Sequence, residues 1–326
     1  MDMQNQERLY LVTGASGYVG GRLVRDLVTE GKKVRLFVRD PKKILDQPWA
    51  TSVEVVKGTA TSREDLDRAL VGVHTAYYLL HSINVATDFE DVEAQMAKGF
   101  AEASEAAHVK QIIYLGGIAN DENRSRHLTS RMNTGTNLAS TSVPVLELRA
   151  GIIIGSGSAS FEMLRHLTHR LPIMTTPKWV SNRTQPIAIR DVLYYLRNAA
   201  NLKSPVNRIC DIGGPEVISY AIMMQKFAQI SGLRKRLIIQ VPVLTPKLSS
   251  LWIGFVTPVP TSLARPLVES LISEVVADPR KSIDDLIPIP AEGLLTVAQA
   301  IQLALNRTAE NHVDTRWSDA AYPTAP

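Results

Sequence analysis

The sequence holds a single cysteine, Cys210, among 326 residues. A disulfide within the chain is therefore impossible, which fits a reducing compartment. Also missing is any apolar run near the roughly 18 residues that a membrane-spanning helix needs. The longest contender, 248–260, is short and carries Pro258 and Pro260. The opening stretch MDMQNQERLY has no basic region followed by an apolar one, so a secretory leader is not expected and the cytoplasm is the expected compartment. Blocks of one charge sign are absent as well. Lys plus Arg number 36 and Asp plus Glu 32, interspersed, for a net charge of +4. This leaves no electrostatic footprint for nucleic acid. With 45% hydrophobic and 21% charged residues, disorder is excluded as the main state. No Gly-x-Ser-x-Gly elbow occurs, which removes the usual signature of an α/β-hydrolase. The seven histidines are scattered. The one close pair, His166 and His169, sits beside Arg165 and Arg170, whose charge opposes a cation, so no metal site is expected. Cys210 has no His or Lys next to it and reads as a buried structural thiol.

What is present is an alternation. Short, nearly continuous apolar runs lie at 9–13, 34–38, 53–57, 75–80, 111–115 and 145–148. They read as strands buried on both faces. Between them, residues 18–30, 63–70 and 89–107 have helical patterns, and Gly31 stands where a C-cap would. Strand and helix repeated in this way predict an α/β protein with a doubly wound parallel sheet. Beyond residue 150 the pattern is less regular. Helices are expected at 157–172, 190–201 and 219–231, with a strand near 205–214. The chain thus divides into a regular alternating domain at 1–155, an interleaved and more irregular region at 156–312 and a frayed tail at 313–326; glycines at 14, 17 and 20, between the first strand and the first helix, mark the first as a dinucleotide-binding Rossmann domain and leave the second as its substrate and lid region.

The strongest signal lies between the first strand and the first helix, in Thr13-Gly14-Ala15-Ser16-Gly17-Tyr18-Val19-Gly20. A tight turn needs a residue that tolerates positive φ. A pyrophosphate needs backbone that it can approach closely, and the next helix offers free N–H groups and the positive end of its dipole. The strand–turn–helix context gives the glycine spacing its meaning. Ser16, Tyr18 and Val19 then join Gly14, Gly17 and Gly20 as candidate cofactor contacts.

This spacing resembles the extended and atypical branches of the short-chain dehydrogenase/reductase superfamily. The likeness continues through Val34-Arg35-Leu36-Phe37-Val38-Arg39-Asp40-Pro41. It implies that Arg39 and Lys43 meet an adenosine 2′-phosphate, which favours NADP(H) over NAD(H). Asp40 is the competing reading, as an acceptor for a 2′-hydroxyl. The third strand ends in Lys57-Gly58-Thr59-Ala60, where the family usually has an Asp for the adenine. Thr59 and Ala60 take that place here. Leu80 and His81, after the fourth strand, fall where the nicotinamide ribose would pass, although a histidine there can also simply cap the strand.

The family's standard members use Ser, Tyr and Lys, and this chain departs from them. Gly116-Gly117 stands where Ser-Ser is usual. His127 and Arg131 occupy the Tyr-x-x-x-Lys spacing, and their i, i+4 separation places them on one helical face. An ordinary imidazole exchanges protons near neutrality, and a fixed guanidinium can hold a ribose or a developing oxyanion. The alternative is that the pair only binds or packs. Ala150, Gly151, Ile152 and Ile153 are small or apolar and suit a flat ring. Asp191, in Pro186-Ile187-Ala188-Ile189-Arg190-Asp191, is expected to cap a helix.

Over roughly residues 8–305 the chain resembles a bacterial group of NmrA-like proteins, also described as nucleoside-diphosphate-sugar-epimerase-like. That group often has the same His-x-x-x-Arg departure and a Val-Thr-Pro-Val-Pro segment, here 256–260. The apolar cluster within 237–272 reads as core packing, as a pocket for an apolar substrate, or, through 243–260, as a protein or peripheral-membrane contact. Three functions follow from the resemblance. One is an NADP(H)-dependent oxidoreductase on an apolar carbonyl or quinone. Another is a non-catalytic NADP-binding sensor that takes no substrate. The last is a scaffold of the kind found in respiratory-complex assembly. A monomer or a homodimer fits each of them.

Overall fold

Strands filled with Val, Ile, Leu and Tyr need cover on both faces, and the chain supplies helices for each. The computed structural model describes residues 8–81, 89–119, 125–240, 269 and 272–309. In chain order the first half runs β1 (Leu9–Thr13), α1 (Tyr18–Thr29), β2 (Lys33–Val38), β3 (Glu54–Lys57), α2 (Arg63–Leu70), β4 (Val73–Tyr78), α3 (Phe89–Ala106), β5 (Gln111–Gly117), α4 (Arg126–Leu138) and β6 (Val145–Ala150). The second half contains β7 (Ile153–Ile154), α5 (Ala159–Arg170), β8 (Ile173–Thr176), β9 (Arg183–Thr184), β10 (Ile187–Ala188), α6 (Ile189–Ala199), β11 (Arg208–Ile212), β12 (Ile218–Ser219), α7 (Tyr220–Ile230), β13 (Leu237–Gln240) and α8 (Val297–Ala309).

Seven strands form one sheet in the order β11-β6-β5-β4-β1-β2-β3. Every pair in it is parallel. Alternation along the strands splits the core in two. Tyr10, Val12, Leu36, Tyr77 and Ile113 pack with Leu23, Leu27 and Leu196 on the face covered by α1 and α6. Leu11, Phe37, Tyr78, Ile112 and Tyr114 pack with Leu66 and Phe100 on the face covered by α2 and α3. The strand order reverses between β1 and β4, and in a doubly wound sheet the crevice outside the strand ends opens there. Thr13 ties the two strands together at that point. Its hydroxyl donates to the Tyr77 carbonyl (3.0 Å) and accepts from the Leu79 N–H (3.0 Å).

Several boundaries differ from the sequence reading for this reason. β4 ends at Tyr78 rather than residue 80, because Thr13 takes the Leu79 N–H and turns the chain out of the ladder. β5 and β6 each run further, with Gly116 opposite Arg149 and Gly117 opposite Ala150. Helix α8 and the paired short strands β7–β10, β8–β13 and β9–β12 have no counterpart in the sequence reading.

The second half sends β11 into the main sheet and builds its own core from Phe161, Met174, Trp179, Tyr220, Phe227 and Ile301. Of the apolar 237–272 cluster, only β13 and residues 269 and 272 are described. The 243–260 contact segment and the 313–326 tail lie outside the described residues. Among the described residues, no helix is long and apolar enough to cross a membrane. Cys210 is fully buried on β11, and burial pushes its thiol up to about 11.

Asp191 corrects one expectation. The residue that precedes α6 is Ala188, and Asp191 lies inside the first turn, fully buried. Its carboxylate accepts from the Leu295 N–H (2.8 Å) and from Arg190 Nε (2.7 Å). A buried carboxylate is stable there because it meets the segment leading into α8 as well as the positive end of α6. Asp191→Ala leaves the Leu295 N–H without its acceptor and is expected to cost about 1–3 kcal/mol in urea unfolding. An unchanged midpoint would show that Asp191 only decorates α6.

Candidate functional site

The β1–α1 turn is built by close backbone approach. Gly14 has φ +70°, in the left-handed region. A Cβ on Gly14 would stand 2.8 Å from the Leu79 carbonyl carbon, and one on Gly20 would stand 2.8 Å from the Gly14 carbonyl carbon. Neither position can carry a side chain. Gly17 precedes α1 with no side-chain cap on the helix N-terminus. The first N–H groups of α1 therefore keep their donors for an anion, as a pyrophosphate requires.

This turn forms one end of a cleft of about 780 Å³. Every candidate residue of the sequence reading lines it. Gly14, Ser16, Gly17, Tyr18, Val19 and Gly20 come from the turn, and Arg39, Lys43, Thr59 and Ala60 from the ends of β2 and β3. Leu80 and His81 follow β4, Gly116 and Gly117 end β5, His127 and Arg131 project from α4, and Ala150 to Ile153 run from the last residue of β6 into β7. Arg39 and Lys43 are exposed at the rim. Asp40 is otherwise engaged, since its Oδ1 accepts from the Lys42 N–H (3.1 Å) and caps the short turn that follows. The Thr59 N–H donates to Asp65 Oδ2 (3.0 Å), and the Thr59 hydroxyl meets that of Thr61 (3.0 Å).

The structure gives a packing reason for the double glycine. A Cβ on Gly116 would lie 2.8 Å from Glu147 Oε1, whose buried carboxylate is paired with Arg149 Nε at 2.7 Å. A Cβ on Gly117 would come within 3.2 Å of Leu128 and 3.5 Å of the Arg131 side chain. The arginine thus lies against the space that a serine side chain at 117 would enter. Its guanidinium donates to the Leu115 carbonyl and lies over Tyr114, 5.8 Å from the ring centre. The Tyr114 hydroxyl in turn donates to the Arg131 carbonyl (2.9 Å).

Beside Arg131 is a cluster that the sequence reading did not assemble. The His81 and His127 rings are 4.7 Å apart at 59°. His81 Nδ1 is 3.1 Å from Glu93 Oε1, and the Ser130 hydroxyl donates to Glu93 Oε2. Glu93 is 4% exposed, a degree of burial that a lone carboxylate does not tolerate without partners. A sequence signal for it exists. Glu93, Ala97, Phe100 and Ser104 follow one another at helical spacing and all are buried. Burial, then His81, then Arg131 push His127 down to about 3. Burial and Arg131 lower His81 as well, against its bond to Glu93. Neutral imidazoles are therefore the forms at pH 7. A neutral His127 keeps one N–H as a hydrogen-bond donor, whereas the sequence reads it as an imidazole that exchanges protons near neutrality. Met96, Met163, Tyr220 and Val275 also line the cleft and were not anticipated. Among the described residues, no group of three or more His, Cys, Asp or Glu is arranged to hold a metal ion.

The pH consequence has a definite sign. The unfolded His127 titrates near 6.5 and the folded one near 3, so on acidification through this window the unfolded chain takes up the proton first and stability falls. His127→Gln removes that share. Its drop in Tm between pH 7 and pH 5 is expected to be smaller than that of the parent protein. Parallel drops would contradict the buried, neutral imidazole.

Comparison with known proteins agrees with this geometry. Residues 14–141 match the family described as NAD(P)H-binding. A ceramide reductase of Caulobacter vibrioides is 27% identical over 233 residues, which are 70% of this chain and 72% of that protein. A dihydroflavonol 4-reductase of Gerbera hybrida is 29% identical over 136 residues, about a third of each chain (36% and 36%). Among solved structures, the triphenylmethane reductase of Citrobacter sp. complexed with NADP(H) superposes with a TM-score of 0.70 at 18% identity, covering 90% of this chain and 99% of that one. An NADPH-dependent quinone oxidoreductase of Escherichia coli complexed with NADPH gives 0.68 at 18% identity, covering 90% and 98%. A parallel sheet reversing at β1 and β4 and a glycine turn with no room for side chains agree with these likenesses: residues 14–141 form an NAD(P)H-binding region, and the fold is the one shared by these reductases.

Proposed function

We propose that this chain is an NADP(H)-dependent reductase of apolar carbonyl or quinone-type substrates, with His127 and Arg131 at its reacting end. The observation that carries this reading is the continuity of the cleft. One cavity runs from the uncapped N-terminus of α1, past the cationic rim at Arg39 and Lys43, to the His81–His127–Arg131 cluster and the apolar wall of Ile152, Met163, Tyr220 and Val275. The reductase names of the Caulobacter and Gerbera relatives and the nicotinamide nucleotides in the Citrobacter and Escherichia coli structures support the same class.

The phosphate form of the nucleotide is favoured by the rim. Arg39 and Lys43 stand exposed beside Asp40, whose Oδ1 accepts from the Lys42 N–H, and two cations against one carboxylate support the 2′-phosphate reading. A guanidinium that meets a phosphate forms charge-assisted bonds. Bound nicotinamide would supply the hydride. The chain's own residues would do the rest. The α1 N–H groups and Gly14 to Gly20 hold the pyrophosphate. Ala150 to Ile153 leave room for a flat ring. Arg131, fixed by Leu115 and Tyr114, places a positive charge beside the reacting oxygen. His127 would hold that oxygen through an N–H hydrogen bond as negative charge develops, and water entering the cleft would deliver the proton that completes the hydroxyl.

A second reading is favoured by one observation. Neutral His127 has replaced the family's Tyr, and no hydroxyl is provided by Gly116-Gly117, so the cleft also suits a sensor that binds NADP(H) without turning over. Titration calorimetry with NADPH, NADP, NADH and NAD tests the nucleotide. Arg39→Ala is expected to weaken NADPH about tenfold to a hundredfold while leaving NADH unchanged; equal effects on both would remove the 2′-phosphate contact. NADPH consumption with 9,10-phenanthrenequinone separates the two readings. Turnover that falls about a hundredfold or more in His127→Ala supports the reductase. Tight binding with no turnover across a carbonyl and quinone panel supports the sensor.

A further inference from the structure

Among the described residues, His81 has one ring nitrogen with a partner and one without. Nδ1 lies 3.1 Å from Glu93 Oε1, while Nε2 is buried and meets no hydrogen-bond partner among them. The carboxylate of Glu93 also takes the Ser130 hydroxyl on its other oxygen. Both bonds run toward the carboxylate, so the His81 proton sits on Nδ1. A neutral imidazole carries one proton, and Nε2 is then a bare acceptor. We propose that Glu93 is a positioning residue that locks His81 as the Nδ1–H tautomer, so that Nε2 serves as the cleft's acceptor for an N–H or O–H donor on the bound ligand.

Three elements meet in this arrangement. Glu93 comes from α3, His81 follows β4, and Ser130 stands on α4 beside His127 and Arg131. Among the described residues, the charged and titratable groups that face His81 are Glu93 from α3 and His127 and Arg131 from α4, while Tyr78 and Tyr114 of the sheet act on Glu93. Arg131 and burial keep the His81 ring neutral, which preserves the lone pair on Nε2. A buried acceptor left without a donor is destabilising, and a matched ligand donor relieves that penalty. His81 and His127 together then present complementary groups to one ligand, an acceptor and a donor 4.7 Å apart between ring centres. This specifies more than an apolar carbonyl compound. It requires a hydrogen-bond donor near the reacting oxygen, carried either by the carboxamide of the nicotinamide or by a hydroxyl or amide of the substrate. The proposal rests on the nucleotide-binding reading of the cleft. Its first test does not.

That test is the tautomer itself. Long-range ¹H–¹⁵N correlation of the histidine rings is expected to show His81 protonated at Nδ1 in the unliganded protein and redistributed toward Nε2–H in Glu93→Gln, whose amide can donate to Nδ1. Ser130→Ala, which keeps the carboxylate, is expected to leave His81 as Nδ1–H and serves as a folding control alongside thermal melts. The source of the donor is read by titration with matched pairs. NADP is compared with its 3-acetylpyridine analogue, which lacks the carboxamide N–H. In the presence of NADP, 2-hydroxyacetophenone is compared with 2-methoxyacetophenone. One pair is expected to favour the donor-bearing member by about tenfold in the parent protein and to lose that preference in Glu93→Gln. A preference in the first pair assigns the donor to the cofactor, and one in the second assigns it to the substrate. An Nε2–H tautomer in the parent protein would overturn the proposal. So would indifference in both pairs while NADP binds normally, or a preference unchanged by Glu93→Gln. Failure of NADP to bind at all, with the Nδ1–H tautomer observed, would instead remove the nucleotide reading and the ligand role with it, leaving only the structural lock.

Discussion

The close approach of backbone to backbone at the end of β1 sets the terms for the rest of the molecule. Gly14 turns in the left-handed region against the Leu79 carbonyl, and Gly20 packs α1 onto the Gly14 carbonyl. Thr13 stitches the same place to β4 through two hydrogen bonds. This contact defines the point where the strand order reverses. It leaves the α1 N-terminus open and brings the residues after β4 alongside the turn. Those residues include His81. The glycine-turn end and the His127 end of the cleft therefore share one anchor, and a side chain at either glycine would disturb both.

The departure from the Ser, Tyr and Lys of the short-chain dehydrogenases that the sequence resembles is a coordinated change. Glu147 and Arg149 bury an ion pair beneath Gly116, which rules out a side chain there without displacement. Arg131 lies against the space above Gly117 and is held by Leu115 and Tyr114. His127 is backed by His81, and His81 by Glu93 and Ser130. Two neutral imidazoles and a fixed guanidinium stand here in place of a hydroxyl pair. Among the described residues, Arg131 and Glu93 act on the two histidines in opposite directions.

Much of this was legible in the sequence, and the rest was not for identifiable reasons. Continuous apolar runs betrayed the parallel strands because burial on both faces leaves no polar positions. The glycine spacing betrayed the turn because only glycine fits where backbones touch. Glu93 was hidden because a glutamate within an Ala- and Glu-rich helix reads as solvated, and its burial depends on His81 and Ser130 from distant parts of the chain. Asp191 reads as a cap because carboxylates favour helix starts. Its actual partner, the Leu295 N–H, lies 104 residues away. The depressed titration of His127 was equally invisible, since it arises from burial, a second histidine and an arginine brought together only by the fold. Helix α8 and the short paired strands of the second half pack on a core whose members are spread from Ile152 to Ala304, a separation no local pattern reveals.

The central claim is that one cleft, anchored at the β1–α1 turn and ending at His127 and Arg131, holds a nicotinamide dinucleotide. Hydrogen–deuterium exchange with and without NADPH tests it most directly. The expected result is slowed exchange at the amides of residues 15–20, with accompanying protection at 39–43 and 115–118. No change at the turn, or protection confined to surfaces away from these segments, would contradict the account.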